Sequence, residues 1–322
     1  MGLSLLSYIP VGNRFNPETD IPSLKGKTIL VTGGNSGLGK QSVLELAKHE
    51  PDLIWLAARG EARAQSAIDD ILKSLPSTTT TKILPLDLDL ASFPSVKSAA
   101  AKVLAGSTRL DILLLNAGIM ATPAGLTASG YELQFGTNHM GHALLTKLLL
   151  PLLLKTAALP SSDVRVVVLS SEAHRMLPRG GIIFDSLKTT QENMYTTTRY
   201  GQSKSANILF AAEMARRYPQ IKTVSVHPGG VATNLTAPFH GAHAIARPFV
   251  ALYSFLFAVS VEEGARCQLW ACVADVKSGA YYTPVGQLTK PAKDAGSEEL
   301  ARRLWEWTEK ELEGEIGYHV RL

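Results

Sequence analysis

Apolar and polar positions alternate along this chain in blocks of two kinds. Short runs of continuous apolar residues, rich in Val, Ile and Leu, recur at 28–32, 53–58, 83–86, 112–115, 164–170, 222–227 and 279–283. Between them lie stretches with helical spacing, near 37–49, 61–75, 95–105, 126–155, 200–218 and 261–274. Runs such as Ile112-Leu-Leu-Leu115 and Val166-Val-Val-Leu169 do not alternate with polar residues, so both faces of these strands are buried. Strand and helix in strict alternation predict an α/β fold, a doubly wound parallel sheet covered on both sides. No internal repeat and no Gly/Ser linker divides the chain. The pattern therefore predicts one Rossmann-type domain over residues 25–322, preceded by an irregular arm over 1–24 and closed by a helix over Glu298 to Glu313. Two segments look inserted for function: 172–199, between a strand and a helix, and 229–260, after the strand ending at His227.

In an open α/β sheet the ligand lies beyond the carboxyl ends of the strands, so those ends are the places to look for chemistry. The first strand runs into Gly33, Gly34, Gly37 and Gly39, and a helical pattern follows at once. Glycines at such a turn let the backbone approach a phosphate, and the helix start offers free N–H groups and its positive dipole end. This reads as a dinucleotide site. The second strand ends at Arg59, where an NAD-specific protein would place an acid on the ribose 2′-hydroxyl. A cation there favours NADP. The third ends at Asp87, which reads equally as an acceptor for the adenine amino group or as a cap of the next helix. The fourth ends at Asn116-Ala117-Gly118, a small-residue turn that lets a cofactor pass. The fifth ends at Ser170-Ser171, beside the nicotinamide end. The sixth ends at His227-Pro228-Gly229-Gly230, with Thr233 placed to touch a carboxamide.

Tyr200 and Lys204 stand four apart and share a helical face. An ammonium beside a phenol stabilises the phenolate and lowers its pKa from about 10, which equips Tyr200 for acid/base work. Tyr218 and Lys222 have the same spacing, but Pro219 intervenes and Lys222 opens a strand.

Bulk properties remove other classes. The net charge of +4 is modest and the basic residues are scattered, so no nucleic-acid face is expected. Cys267 and Cys272 have no second pair and form neither a metal site nor a disulfide framework. His139, His142, His174 and His227 lack a convincing third ligand among them, and no metal is expected. The start of the chain has neither the charged onset nor the cleavage site of a secretory signal. The apolar stretch Phe249 to Val259 is shorter than the roughly 20 residues needed to span a bilayer. It reads first as a buried helix, with peripheral membrane contact as the other reading. A cytoplasmic location is expected.

These motifs together resemble one family. Thr32-Gly33-x-x-x-Gly37-x-Gly39, Asn116-Ala117-Gly118, an Asn within a long helix, the Ser-Ser strand end, Tyr200-x-x-x-Lys204 and Pro228-Gly229 appear in the order found in the short-chain dehydrogenase/reductases, over nearly the whole chain. Residues Gly136 to His142 and the tail Leu304 to Lys310 resemble the retinol-dehydrogenase and WW-domain-oxidoreductase-like branch, which often carries an arginine where Arg59 stands and uses NADP(H). The resemblance implies that Tyr200 is the acid/base. Lys204 holds the nicotinamide ribose and tunes Tyr200. Ser171 binds the substrate oxygen, with Ser170 as the substitute. Asn138 anchors a water that relays protons to Lys204. It also implies cofactor contacts from Gly33, Asn35, Ser36, Gly37, Leu38, Gly39, Arg59, Asp87, Leu88, Asn116, Ala117, Gly118, Tyr200, Lys204, Pro228, Gly229, Val231 and Thr233. Ser171 and Tyr200 are 29 positions apart, longer than the usual family spacing, so 180–187 and 194–199 are expected to wall the substrate pocket.

The expected activity is NADP(H)-dependent interconversion of a ketone or aldehyde and an alcohol on a hydrophobic small molecule, a metabolite-tailoring reductase. A cyclase, isomerase or dehydratase using the same scaffold and site is the alternative. Leu235, Phe239, Phe249, Leu252, Tyr253, Phe255, Leu256 and Phe257 stand where the family carries a substrate lid, and core filling explains them equally well. The apolar helix Leu144 to Leu154 fits either a homodimer interface, as in the family, or burial within one chain.

Overall fold

The computed structural model describes residues 15–231 and 259–315. Its centre is an eight-stranded sheet in the order β3-β2-β1-β4-β5-β6-β7-β8. The strands are β1 Thr28–Thr32, β2 Leu53–Ala58, β3 Lys82–Asp87, β4 Ile112–Leu115, β5 Arg165–Leu169, β6 Lys222–Val226, β7 Tyr281–Thr283 and β8 Gln287–Thr289. All neighbours are parallel except β7 and β8. The chain winds one way from β1 to β3, then returns to place β4 on the other side of β1. That reversal is the switch point at which such sheets bind ligands.

The apolar runs explain the two cores. Leu30, Leu113, Val166 and Val168 point to one face, while Ile29, Val31, Ile112, Leu114, Val167 and Leu169 point to the other, and all are buried. Helices α1 Gly37–Ala47, α2 Glu61–Ser74 and α6 Val261–Val273 cover the second face. Helices α3 Phe93–Gly106, α4 Gly141–Ala157, α5 Thr196–Arg217 and α7 Glu298–Leu312 cover the first. The doubly wound α/β fold expected from the alternation is the fold observed.

Four local differences have physical causes. The stretch 126–132 is not helical: Thr127 and Tyr131 close a turn through Thr127 N–H to the Tyr131 carbonyl at 2.8 Å and Tyr131 N–H to Thr127 Oγ1 at 3.2 Å. The helix starts at Leu133, passes through a π turn at Gly136–Met140 and becomes regular in α4. Strand β8 carries no apolar pattern, because its residues at the sheet edge are largely exposed; the short turn after β7 pairs it back. The described part of the N-terminal arm holds one helical turn, Pro17–Asp20, and buries Phe15, Ile21 and Leu24 against the core.

Helix α4 has its cover within the chain. Trp305 of α7 stacks on Phe210 of α5 with ring centroids 5.3 Å apart, and Lys147 of α4 lies 4.5 Å above the same indole. Lys147 also pairs with Glu309, and His139 Nε2 meets Thr308 Oγ1 at 3.1 Å.

Candidate active site

The glycine turn is tight because Gly33 has φ +67° and because Gly39 meets the Gly33 carbonyl so closely that a Cβ there would lie 2.2 Å from its oxygen. The turn packs on the loop after β4. Asn116 Nδ2 donates to the Thr32 carbonyl at 2.8 Å, and Ala117 N–H donates to Thr32 Oγ1 at 3.0 Å. Ser36 is the N-cap of α1, yet its side chain makes no capping bond and the first turn holds no acid. By contrast Ser92, Ser260 and Ser297 all cap their helices. The start of α1 therefore keeps its donors and its positive dipole end for an anion, and the turn fits a cofactor pyrophosphate. Leu38 and Val231 both press on Gly264 of α6, where a Cβ would meet Val231 Cγ2 at 2.5 Å and Leu38 Cδ2 at 3.0 Å. Pro228 and Gly229 follow β6 as expected, and Gly229 lies against Pro284. Thr233 and the lid residues Leu235, Phe239, Phe249, Leu252, Tyr253, Phe255, Leu256 and Phe257 fall outside the described residues.

Arg59 stands exposed at the end of β2. Asn35, Lys40, Arg63, Ser66 and Asp70 line a surface cleft between α1 and α2, in which Lys40 Nζ pairs with Asp70 at 3.0 Å. Asp87 does not cap the next helix; Ser92 does. Its carboxylate instead accepts Gly60 N–H at 2.7 Å, which ties the end of β3 to the turn before α2. Leu88 N–H donates to the Ala58 carbonyl at 2.9 Å, with its side chain buried.

The fifth strand end separates its two serines. Ser170 is buried and its Oγ donates to the Lys204 carbonyl at 2.8 Å. Ser171 Oγ accepts Ala173 N–H at 3.2 Å, and its hydroxyl is the one close enough to Tyr200 to draw the phenol's pKa down. Helix α5 presents Tyr200 and Lys204 on one buried face, with Lys204 Nζ 5.6 Å from the phenol ring centroid. The Lys204 ammonium donates to the Leu169 carbonyl at 3.1 Å. A Cβ on Gly118 would lie 3.3 Å from both Lys204 Nζ and Asn138 Oδ1, so glycine lets these groups converge there. Asn138 sits in the π turn, a distortion frequent at functional sites. Its Oδ1 accepts Ile119 N–H at 2.8 Å, and its Nδ2 donates to the Ile119 carbonyl and to Ser203 Oγ, both at 2.9 Å.

Electrostatics differ from the simple Tyr–Lys picture. Burial pushes the Tyr200 phenol up to about 12, and only the Ser171 hydrogen bond works the other way. Burial also pulls Lys204 down to about 8. Desolvation outweighs the attraction of an ammonium that is more than 5 Å from the ring. The free chain holds Tyr200 as a protonated acid.

Further residues shape this region, among them Arg199, in the segment expected to wall the pocket, and His174, one of the histidines expected to bind no metal. Arg199, next to Tyr200, makes a buried ion pair with Glu132 at 3.2 Å and donates to the Thr122 carbonyl at 3.1 Å. Gln134 accepts Ala121 N–H at 3.0 Å and donates to Thr196. His174 Nδ1 donates to the Ser171 carbonyl at 2.8 Å while its Nε2 accepts Ala292 N–H at 3.1 Å. Gln268 bridges Ser42 and Asn116. Each partner lies far away in sequence or on main chain, so no spacing marks it; only the adjacency of Arg199 and His174 to Tyr200 and Ser171 was visible. The two cysteines are buried in the core, their thiols pushed up to about 12.

Comparison with known proteins identifies the family and the fold. The family model for short chain dehydrogenases matches residues 27–243. A short-chain dehydrogenase/reductase of Armillaria gallica is 39% identical over 298 residues, covering 90% of this chain and 91% of that protein. Mouse retinol dehydrogenase 14 is 39% identical over 298 residues, covering 89% and 86%. A crystal structure of an uncharacterized protein from Mycobacterium Paratuberculosis superposes with a TM-score of 0.70 at 30% identity, covering 91% of this chain and 96% of that one. The chain belongs to the short-chain dehydrogenase/reductase family, in its retinol-dehydrogenase-like branch.

Proposed function

We propose that this protein is an NADP(H)-dependent oxidoreductase that interconverts a ketone or aldehyde and an alcohol on an apolar small molecule. The observation that carries this reading is the convergence of Ser171, Tyr200 and Lys204 beyond the carboxyl end of β5, beside the glycine turn. When bound, the nicotinamide supplies or accepts the hydride. The start of α1, with Asn35, Ser36, Gly37 and Leu38, would hold the phosphates, and Asn116, Ala117, Gly118, Pro228 and Gly229 would hold the rest of the cofactor.

In reduction, the protonated Tyr200 phenol donates its proton to the carbonyl oxygen. Ser171 and Tyr200 both hydrogen-bond that oxygen as it gains charge. Lys204 in its ammonium form offsets the phenolate left behind. Asn138, fixed by Ile119 and Ser203, anchors the route by which Tyr200 and Lys204 are reprotonated. The preference for NADP rests on Arg59, exposed just past the end of β2, where a cation suits a 2′-phosphate better than a ribose hydroxyl. Among the described residues no helix is long and apolar enough to cross a membrane.

Titration of the protein with NADPH and NADH, followed by a screen of bulky apolar ketones and aldehydes for loss of reduced cofactor, tests the reading. NADPH-selective binding with consumption on an apolar carbonyl supports it. Binding without consumption across the panel points to the non-redox alternative.

A further inference from the structure

One buried titratable side chain beside the site has no part in this mechanism. His142 lies in the first turn of α4, four residues after Asn138, and is buried. Both of its ring nitrogens are engaged. Nδ1 meets the Asn138 main-chain oxygen at 3.0 Å, and Nε2 meets Thr32 Oγ1 at 2.9 Å. A carbonyl oxygen only accepts, so Nδ1 carries the proton and Nε2 offers a lone pair. Thr32 Oγ1 accepts Ala117 N–H, and of the two acceptors within reach of its single proton, Nε2 at 2.9 Å is nearer than the Leu114 carbonyl at 3.4 Å, so the proton goes to Nε2. The result is a one-way chain of donors, from Ala117 to Thr32 to His142 to the Asn138 carbonyl. In a regular α-helix the backbone N–H of residue 142 would take that carbonyl. Beside the π turn the side chain of the same residue reaches it.

The chain joins parts of the site that are distant in sequence. Thr32 precedes the glycine turn. Ala117 belongs to the loop against which that turn packs. The Asn138 amide grips Ile119, so Gly118 is held on one side through Thr32 and on the other through Asn138. Gly118 is where Lys204 Nζ and Asn138 Oδ1 converge.

We propose that His142 is a positioning residue that sets Asn138, and through it the Lys204 end of the site, in register with the glycine turn that holds the cofactor. The proposal rests on the oxidoreductase reading above. His142 acts as a fixed bridge and not as an acid or base, because burial pushes its imidazole down to about 4. The charged group it faces is Lys204 of α5, and its neighbour His139 is neutral for the same reason.

Three variants test it: His142→Phe, which keeps a ring and removes both hydrogen bonds; His142→Gln, which keeps one donor and one acceptor; and Thr32→Val, which cuts the chain from its other end. In His142→Phe, amide hydrogen exchange at Ala117 and Ile119 should accelerate, measured without cofactor. On the carbonyl that the wild type reduces, kcat should fall about tenfold or more while KM changes little, and the pH profile of kcat should shift. His142→Gln should recover most of this loss, and Thr32→Val should reproduce it. If His142→Phe does not fold, Thr32→Val carries the test alone. Unchanged exchange at these two amides, or an unchanged kcat and pH profile in variants that fold, overturns the role of His142. A wild type that consumes no NADPH overturns the functional reading instead, and the exchange data still judge His142.

Discussion

Two adjacent serines show how much a single hydroxyl direction decides. Ser170 is spent on the Lys204 carbonyl, whereas Ser171 reaches the Tyr200 phenol. Ser171→Ala is expected to lower kcat by about 100-fold or more, as removal of one donor to a developing oxyanion does. Ser170→Ala is expected to cost about 1 kcal/mol of stability, the net worth of one hydrogen bond, with kcat nearly unchanged. Turnover and urea midpoints of the two variants check both statements. Arg59→Glu is expected to lower the ratio of NADPH to NADH affinity by about tenfold or more, read from cofactor titrations, because it places an acid where the cation stands. At this scale the sequence displayed the chemistry but not the connections. The glycine turn, Asn116, the Ser170-Ser171 strand end and the Tyr200–Lys204 pair stand out because strand ends and helical faces follow fixed periods; context separates Tyr200 and Lys204 from Tyr218 and Lys222, and the family resemblance separates Ser171 from Ser170. Asp87 was ambiguous because its partner, Gly60 N–H, lies 27 positions away and carries no side-chain signal. The lowered phenol pKa expected from the Tyr–Lys pair is reversed in the folded chain, because burial, which spacing does not reveal, outweighs the nearby ammonium.

At the scale of elements, the doubly buried strands were legible as unbroken apolar runs, and helices were legible where one face is apolar. The π turn was not, because Gly136 to Met140 keeps helical spacing while its hydrogen bonds slip by one residue. Strand β8 was hidden because an edge strand with exposed side chains needs no apolar pattern. The two readings of Leu144 to Leu154 meet a definite feature: α7 lies over this side of the molecule and inserts Trp305 between Lys147, Phe210 and Arg217. Trp305→Ala is expected to destabilise the protein by about 3–5 kcal/mol, measured by urea denaturation, since it removes a large buried ring that its neighbours cannot replace.

For the whole molecule, buried neutral histidines make stability depend on pH. His139 is pushed down to about 3, and His142 and His227 to about 4, all by burial. In the unfolded chain the same side chains titrate near 6.5. Between those values the unfolded state binds protons that the folded state refuses, so stability falls as pH drops below about 6.5 and is fully present above it. Each withheld proton contributes about 1.4 kcal/mol per pH unit within that window. Urea midpoints should therefore decline steadily from pH 7 to pH 5 and change little from pH 7 to pH 8; a flat profile in the acid range would show these rings to be charged in the folded state.

The central claim is that Tyr200 passes the proton that accompanies hydride transfer from a bound nicotinamide. The most direct measurement is a single turnover of the NADPH-loaded protein on an apolar carbonyl, comparing wild type with Tyr200→Phe by the loss of reduced-cofactor absorbance. The account expects wild type to oxidise NADPH and the variant to slow by about 100-fold or more while binding NADPH with nearly the same affinity. Turnover that survives in Tyr200→Phe would contradict it.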